Sequence, residues 1–303
     1  MKNKVYGVIG IKSVMSNWNA DFTGRPKTIS DNTIFGSDKA LKYSMKRHSN
    51  DKGEKILYLK SFKTSDKDKI QPRSLKERYE QLFHNINEKT PSKEVLHNLF
   101  SALDVMWFGA TFAEGKNNIS ITGAIQIGQG FNYYEDSNVE VQDILSPFRN
   151  KEDADASTLG KKIVSDEAHY FYPFSVNPMA YNNYEDILEN FDGFTQEAYD
   201  KFKEVSLCSA TLLATNSKVG CENEFAVFVE GNETLYLPNL ATFMAFEKGE
   251  DKDTIIFKGE DLLNQLSNQI TSIEVYYNPY STKLDGFDMN KVTLYNIFTR
   301  EVI

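Results

Sequence analysis

Residues 3–13 read NKVYGVIGIKS, and residues 16–47 read SNWNADFTGRPKTISDNTIFGSDKALKYSMKR. The first stretch, Asn3 to Ser13, alternates toward Val and Ile and predicts a buried strand. The polar, glycine-bearing run from Ser16 to Gly36 predicts a loop, and an ordered loop of that length in a compact domain points to function. Ser37 stands where a helix from Asp38 to about His48 needs its cap, with Asp38 at the positive helix end. Leu41 and Met45, four apart, make the inward stripe of that helix. Lys39, Lys42 and Lys46 make the opposite row.

Working outward, Ile56 to Phe62 reads as a second strand. Helices are expected over Ser74–Glu88 and Pro91–Leu103, the latter because proline suits a first helical position. Asp104–Phe112 (DVMWFGATF) and Ile119–Gln129 (ISITGAIQIGQ) read as strands joined by a turn. The pattern collapses from Glu135 to Val164, where seven acids and four bases surround few apolar residues. A strand resumes at Glu167–Ser175, and the longest helix is expected from Thr195 to about Thr215. Glu224–Glu230, Ser272–Tyr277 and Val292–Phe298 read as later strands, with a helix over Glu260–Ile270. Strands and helices mix without regular alternation, which favours an α+β class.

Across 303 residues, 40% apolar and 25% charged side chains describe a globular chain of one or two domains rather than a disordered one. No run approaches the roughly 20 apolar residues that a bilayer crossing needs, and no secretory signal is visible at the N-terminus. Two cysteines, Cys208 and Cys221, make neither a disulfide framework nor a four-cysteine metal centre, so a reducing cytoplasm is the expected compartment. The net charge of −9 is unevenly spread. Residues 1–78 carry 18 Lys and Arg against 8 Asp and Glu, while the rest carry 16 against 35. A basic first quarter on an acidic body suggests a polyanion-binding face.

Signatures of catalysis are missing: there is no Walker loop, HExxH or GxSxG. The four histidines stand singly, and nothing in the pattern calls for a metal or organic cofactor. The informative group is Asn17, Trp18, Asn19, Arg25, Lys27, Lys42, Lys46 and Arg47. Amides, lysines and arginines suit phosphate and ribose oxygens, and a Trp between two Asn offers a base-stacking surface. The polar 135–164 segment reads as an extended arm, with Arg149, Lys161 and Lys162 for phosphates and Phe148, Leu159 or Ile163 as apolar tips. Gln126 lies on the preceding strand.

These stretches resemble the Cas-seven family, the repeated backbone subunits of CRISPR Cascade surveillance complexes. SNWNADFTGRPKTISDNTIFGSDKALKYSMKR is similar to its opening motif. DVMWFGATF, ITGAIQIGQG and TLGKKIVSDEAHYFYPFSVNP follow in the family's order. The variant looks most like type I-B, although Lys161 and Lys162 stand where Arg is common. The resemblance implies an RRM-like (ferredoxin-like) palm in a single domain over 1–303, a helical finger region at 37–103 and a hairpin thumb at 135–164. It also implies a non-catalytic, cytoplasmic subunit that binds crRNA through the residues named above and homo-oligomerises as a helical filament. Base pairing of the guide would read target DNA. The implied partners are the Cas-five, Cas-six and Cas-eight families and, indirectly, the Cas-three nuclease-helicase. An alternative is a type III-like, metal-dependent endoribonuclease using Asp31 or Asp38; another is a free-standing regulatory protein.

Overall fold

The computed structural model describes residues 1–149 and 157–303. Its organising element is the strand Lys4–Ser16. Ser157–Val176 pairs antiparallel along one edge, from Val5 opposite Val176 to Ser16 opposite Ser165. Cys221–Gly231 pairs antiparallel along the other, from Lys4 opposite Gly231 to Ser13 opposite Cys221. Val5, Val8, Ile9 and Ile11 are all fully buried, which requires that both faces of the sheet be covered. Alternation sorts them. Val5 and Ile9 join a core with Tyr172, Phe174 and Phe228, whereas Val8 joins Phe171, Val227 and Val229 in a second core.

Helices cover the first face. The two strands flanking Lys4–Ser16 run parallel to each other and are joined through the helix Gln196–Ser206, a split strand-helix-strand crossover. Phe202 of that helix packs on Phe174 and Trp107. The other face carries a three-stranded sheet of Met244–Glu247, Asp253–Phe257 and Thr282–Asp285. Beyond Cys221–Gly231 the main sheet continues with Ile270–Tyr277 and Thr293–Asn296. Beyond Ser157–Val176 it continues with Gly130–Asn132 and Phe35–Gly36.

Ser157–Val176 is 20 residues long and does two jobs. Its inner part lies in the sheet, while residues 157–165 pair with Val139–Arg149, from Ser165 opposite Val139 outward. Over its described residues the polar stretch read as an arm is therefore an antiparallel two-stranded ribbon, about 25–30 Å long at the usual rise per strand residue. The side chains of Phe148 and Leu159, expected as apolar tips, and of Arg149 lie outside what the structure describes.

Several expected elements differ. Asp104–Phe112 is not one strand: residues Leu103–Phe108 form a helical turn and only Gly109–Phe112 is extended, paired with Ile119–Thr122. The cause is Asp104, whose two carboxylate oxygens accept the N–H groups of Leu57 and Tyr58, each at 2.8 Å. The same bonds hold the N–H groups of Leu57 and Tyr58 away from any ladder, and of the strand expected over Ile56–Phe62 only Phe62 is extended, at the start of Phe62–Thr64. Ile119–Gln129 breaks into Ile119–Thr122 and Ile125–Ile127. The 195–215 helix stops at Ser206, because the Asn223 amide donates to Ser206 O and its oxygen accepts the N–H groups of Ala210 and Thr211. The 74–88 helix shortens to Leu75–Leu82, opened by a reciprocal Ser74–Glu77 capping box. Ser37 does not cap with its hydroxyl; instead its own N–H goes to Asn19 Oδ1 at 2.8 Å.

Gly109 ends the Leu103–Phe108 turn at φ 78°, and a Cβ there would sit 2.1 Å from Ile121 O. Gly109→Ala therefore combines left-handed strain with a backbone clash. It is expected to cost about 2 kcal/mol or more in urea unfolding. An unchanged midpoint would contradict this account of the turn.

Candidate nucleic-acid interface

The loop after the first strand is held by its own polar side chains. Asp21 Oδ1 accepts the N–H groups of Thr23 at 2.7 Å and Arg25 at 3.0 Å. Short bridges close Ala20 on Pro26 and Thr28 on Ile34. Asn17 is 4% exposed and its amide donates to Gly24 O at 2.9 Å and to Ile163 O at 3.0 Å, tying the loop to the root of the arm. Asn17 and Asn19 thus build the loop. Trp18 overturns the stacking expectation: it is 1% exposed, and its indole N–H donates to Tyr172 O–H at 2.6 Å. An indole sunk in the core presents no face to a base.

The helix that follows, Asp38–Asp51, lines a cleft with the expected lysine row. Lys39, Lys42 and Lys46 lie along one wall of a concave space of about 530 Å³, with Tyr43, Tyr58, Phe108, Thr111 and Asp104 completing it. Lys42 pairs with Asp38 at 3.1 Å, one helical turn back, and lies 5.0 Å above the Phe108 ring. The hydroxyl of Tyr58 donates to Thr111 O at 2.6 Å, bracing the opposite wall. Burial raises the pKa of Asp104, against the pull of the N–H groups of Leu57 and Tyr58 and of the Lys46 charge. Burial lowers that of Lys46, with the Asp104 charge opposing it. The cleft is thus cationic at its rim and holds a carboxyl at its floor.

The other expected residues disperse. Arg25 is exposed on the loop and Lys27 is half-buried. Arg47 pairs with Asp51 at 3.0 Å, away from the cleft lining. Gln126 donates to Gly123 O at 2.8 Å and lines a separate groove with Tyr6, Phe174 and Leu240. Lys161 and Lys162 stand on the arm opposite Asp143 and Gln142. Of the expected group, the structure gathers Lys42 and Lys46. It adds Lys39, which the helical spacing places in one row with Lys42 and Lys46 although it stood outside the expected site group, and Tyr58 and Asp104, which no local pattern marks.

Residues 3–262 match the family profile described as CRISPR-associated protein Cas7. The chain belongs to this family. Among solved structures, it is similar to a chain of a CRISPR RNA-guided surveillance complex described as pre-nicking, with 12% identity, a TM-score of 0.55 and 96% of each chain covered. A chain of a second CRISPR RNA-guided surveillance complex aligns at 13% identity and a TM-score of 0.49, over 93% of this chain and 94% of that one. The first likeness establishes a common fold. No curated protein matches the sequence.

In this Cas7-family chain the arm is rooted by a buried charge network. His169 is fully buried, its Nδ1 2.8 Å from Glu224 and its Nε2 3.1 Å from Glu167, and its ring stacks on Phe246 at 3.8 Å. Glu167 also meets Lys248 at 2.7 Å and Lys12 at 3.5 Å, and both lysines reach Asp253. Glu167, His169 and Asp253 have the mutual spacing of metal ligands. The ammonium groups of Lys12 and Lys248 contact both carboxylates and already supply the compensating charge. The network joins the first strand, the arm root and the three-stranded sheet.

Burial works to lower the pKa of His169, but the Glu224 charge and the bonds to Glu167 and Glu224 outweigh it, raising the value to about 8. The folded state therefore holds its proton more tightly than the unfolded chain. The resulting stability is complete below about pH 6.5 and lost as pH rises through 8, about 2 kcal/mol in all. Urea unfolding between pH 6 and 9 should show that decline, and His169→Gln should flatten it. A parent protein equally stable across the window would refute the assignment.

Replacing Asp104 with Ala leaves two backbone N–H groups and the Lys46 charge without their acceptor. It should cost about 3 kcal/mol or more by urea unfolding. Loss of under 1 kcal/mol would show that the carboxyl does not organise the cleft.

Proposed function

We propose that this Cas7-family chain is the non-catalytic, crRNA-binding backbone subunit of a type I Cascade surveillance complex. The observation that carries the reading is the lysine row: Lys39, Lys42 and Lys46, on the helix that follows the motif loop, line one cleft. Successive lysines are separated by about 4.5 and 6 Å along the helix axis, a ladder of point charges suited to a sugar-phosphate strand. Such interactions ignore base identity, so a guide of any spacer sequence is held while its bases pair with target DNA.

The architecture supports the rest. The order Cys221–Gly231, Lys4–Ser16, Ser157–Val176 and then the short strands at 125–132, with its split crossover, suits an RRM-like palm. The 37–103 region, with its helices and the small hairpin Phe62–Thr64/Ile70–Pro72, is the finger, and the 139–165 hairpin is the thumb. Identical subunits repeated head to tail along one guide make a helical filament, flanked by Cas-five, Cas-six and Cas-eight subunits and served by the Cas-three nuclease-helicase. Among the described residues no helix is long and apolar enough to cross a membrane. Asp38 is held by Lys42 and by the Gln129 amide at 3.3 Å, and Asp31 by the Thr33 N–H at 2.9 Å. Those engagements favour a structural role for both acids over the endoribonuclease alternative.

The test is equilibrium binding of single-stranded RNA of several sequences as salt is varied. Reversing Lys39 and Lys42 to Glu should weaken all sequences alike and reduce the slope of log K against log salt by about 1.4 or more, about 0.7 for each phosphate that is no longer neutralised. Unchanged affinity would sink the reading. Regularly spaced Mg²⁺-dependent cuts in complementary RNA, abolished by Asp38→Ala, would replace it with the endoribonuclease.

A further inference from the structure

Lys218 lies in the segment between the Gln196–Ser206 helix and the Cys221–Gly231 strand, 200 residues from the motif loop in sequence. Its ammonium donates to Asn17 O at 2.5 Å and to Trp18 O at 2.6 Å, and lies 5.8 Å from the Trp18 ring. The surrounding backbone is stitched to the same place. Val14 N–H donates to Gly220 O and Asn17 N–H to Ser217 O, both at 2.9 Å. Gly220 at φ 103° allows the approach, because a Cβ there would lie 2.2 Å from Val14 O.

The chemistry of the site is unusual for a lysine. Burial lowers its pKa, with Cys221 opposing the shift, and among the described residues no carboxylate pairs with it. A desolvated ammonium without an anionic partner is costly, and here two backbone carbonyls serve in place of a carboxylate. Met15, at the mouth of the loop, holds φ 45°, a left-handed conformation uncommon outside glycine. The strand therefore turns sharply into the loop at Met15, and the carbonyls that follow point at Lys218. Asn17 continues the chain of bonds, since its amide binds Gly24 O in the loop and Ile163 O on the arm.

We infer that Lys218 is a positioning residue for RNA binding: by capturing the carbonyls of Asn17 and Trp18 it sets where the motif loop leaves the first strand, and so how the loop meets the arm root at Ile163 and runs on into the lysine-bearing helix. This rests on the proposed RNA-binding function. Lys218 itself touches no phosphate in this assignment; its ammonium is turned inward.

The experiment compares the full-length chain with Lys218→Met, which keeps the stem length and removes the donor, and with Lys218→Arg, which keeps the charge and donors. Single-stranded RNA affinity is measured across a salt series, and amide hydrogen exchange is read over residues 14–36 and 221–231. Lys218→Met should bind about tenfold more weakly, as expected for removing hydrogen bonds from a charged group. The salt slope should stay at the parent value. Exchange should rise over 14–36 and stay slow over 221–231, and Lys218→Arg should recover most of the affinity. A slope lower by about 0.7 would mean direct phosphate binding and overturn the inference. Unchanged affinity, or exchange rising equally in both segments, would also overturn it. If the parent chain binds no RNA, the functional reading fails instead. The exchange arm then decides the clamp, and loop amides that stay slow in Lys218→Met count against it.

Discussion

Both edges of Lys4–Ser16 are hydrogen-bonded and its inner residues Val5, Val8, Ile9 and Ile11 are buried, so the point where this strand ends is held by its neighbours on both sides. Everything that bears on function leaves from that point or returns to it. The motif loop begins there, the arm starts opposite it at Ser165, and the 217–220 turn closes on it from the other edge. A strand with one free edge would let the loop swing, and the cleft beside it would have no fixed shape. Strand pairing on both sides converts the local preference of an apolar run into a rigid origin for a polar surface.

Around this origin the molecule separates its polar duties. Trp18 is spent on the core, where its N–H meets Tyr172 and its ring roofs the space under the loop. The cationic side chains lie on the neighbouring helix, whose apolar stripe of Leu41 and Met45 is fully buried and sets the lysines on the opposite row, facing the cleft. Asp104 then does what a backbone partner would do in a regular element, accepting two N–H groups from a segment outside helix and strand. Its charge also offsets part of the cost of burying the Lys46 ammonium. The same residue thus shapes the cleft wall and tempers its electrostatics.

The arm shows a second use of buried charge. Its outer part is a two-stranded ribbon, which is marginal alone, whereas its root is anchored by His169, Glu167 and Glu224 together with Lys12, Lys248 and Asp253. Paired and hydrogen-bonded, these groups connect four strands of distant sequence, Lys4–Ser16, Ser157–Val176, Cys221–Gly231 and Asp253–Phe257, without leaving a charge unmatched. The contrast with Lys218 is instructive, because among the described residues its ammonium is met by two backbone carbonyls and the Trp18 ring rather than by a carboxylate.

Elements governed by near neighbours were legible in the chain itself. The first strand follows from its Val and Ile run, the lysine row from helical spacing, and the basic first quarter from counting. The motif order also pointed to the family that the profile match establishes. What local pattern could not show was any role assigned by a partner far away. Asp104 looked like part of a strand until it met Leu57 and Tyr58, and Trp18 looked like a stacking platform until Tyr172 claimed its N–H. Asn223 ended a helix that periodicity would have extended. Short-range sterics and hydrophobic period act within a few residues, so a single chain displays them; hydrogen bonds across tens or hundreds of residues come into being only when the sheet brings their partners together.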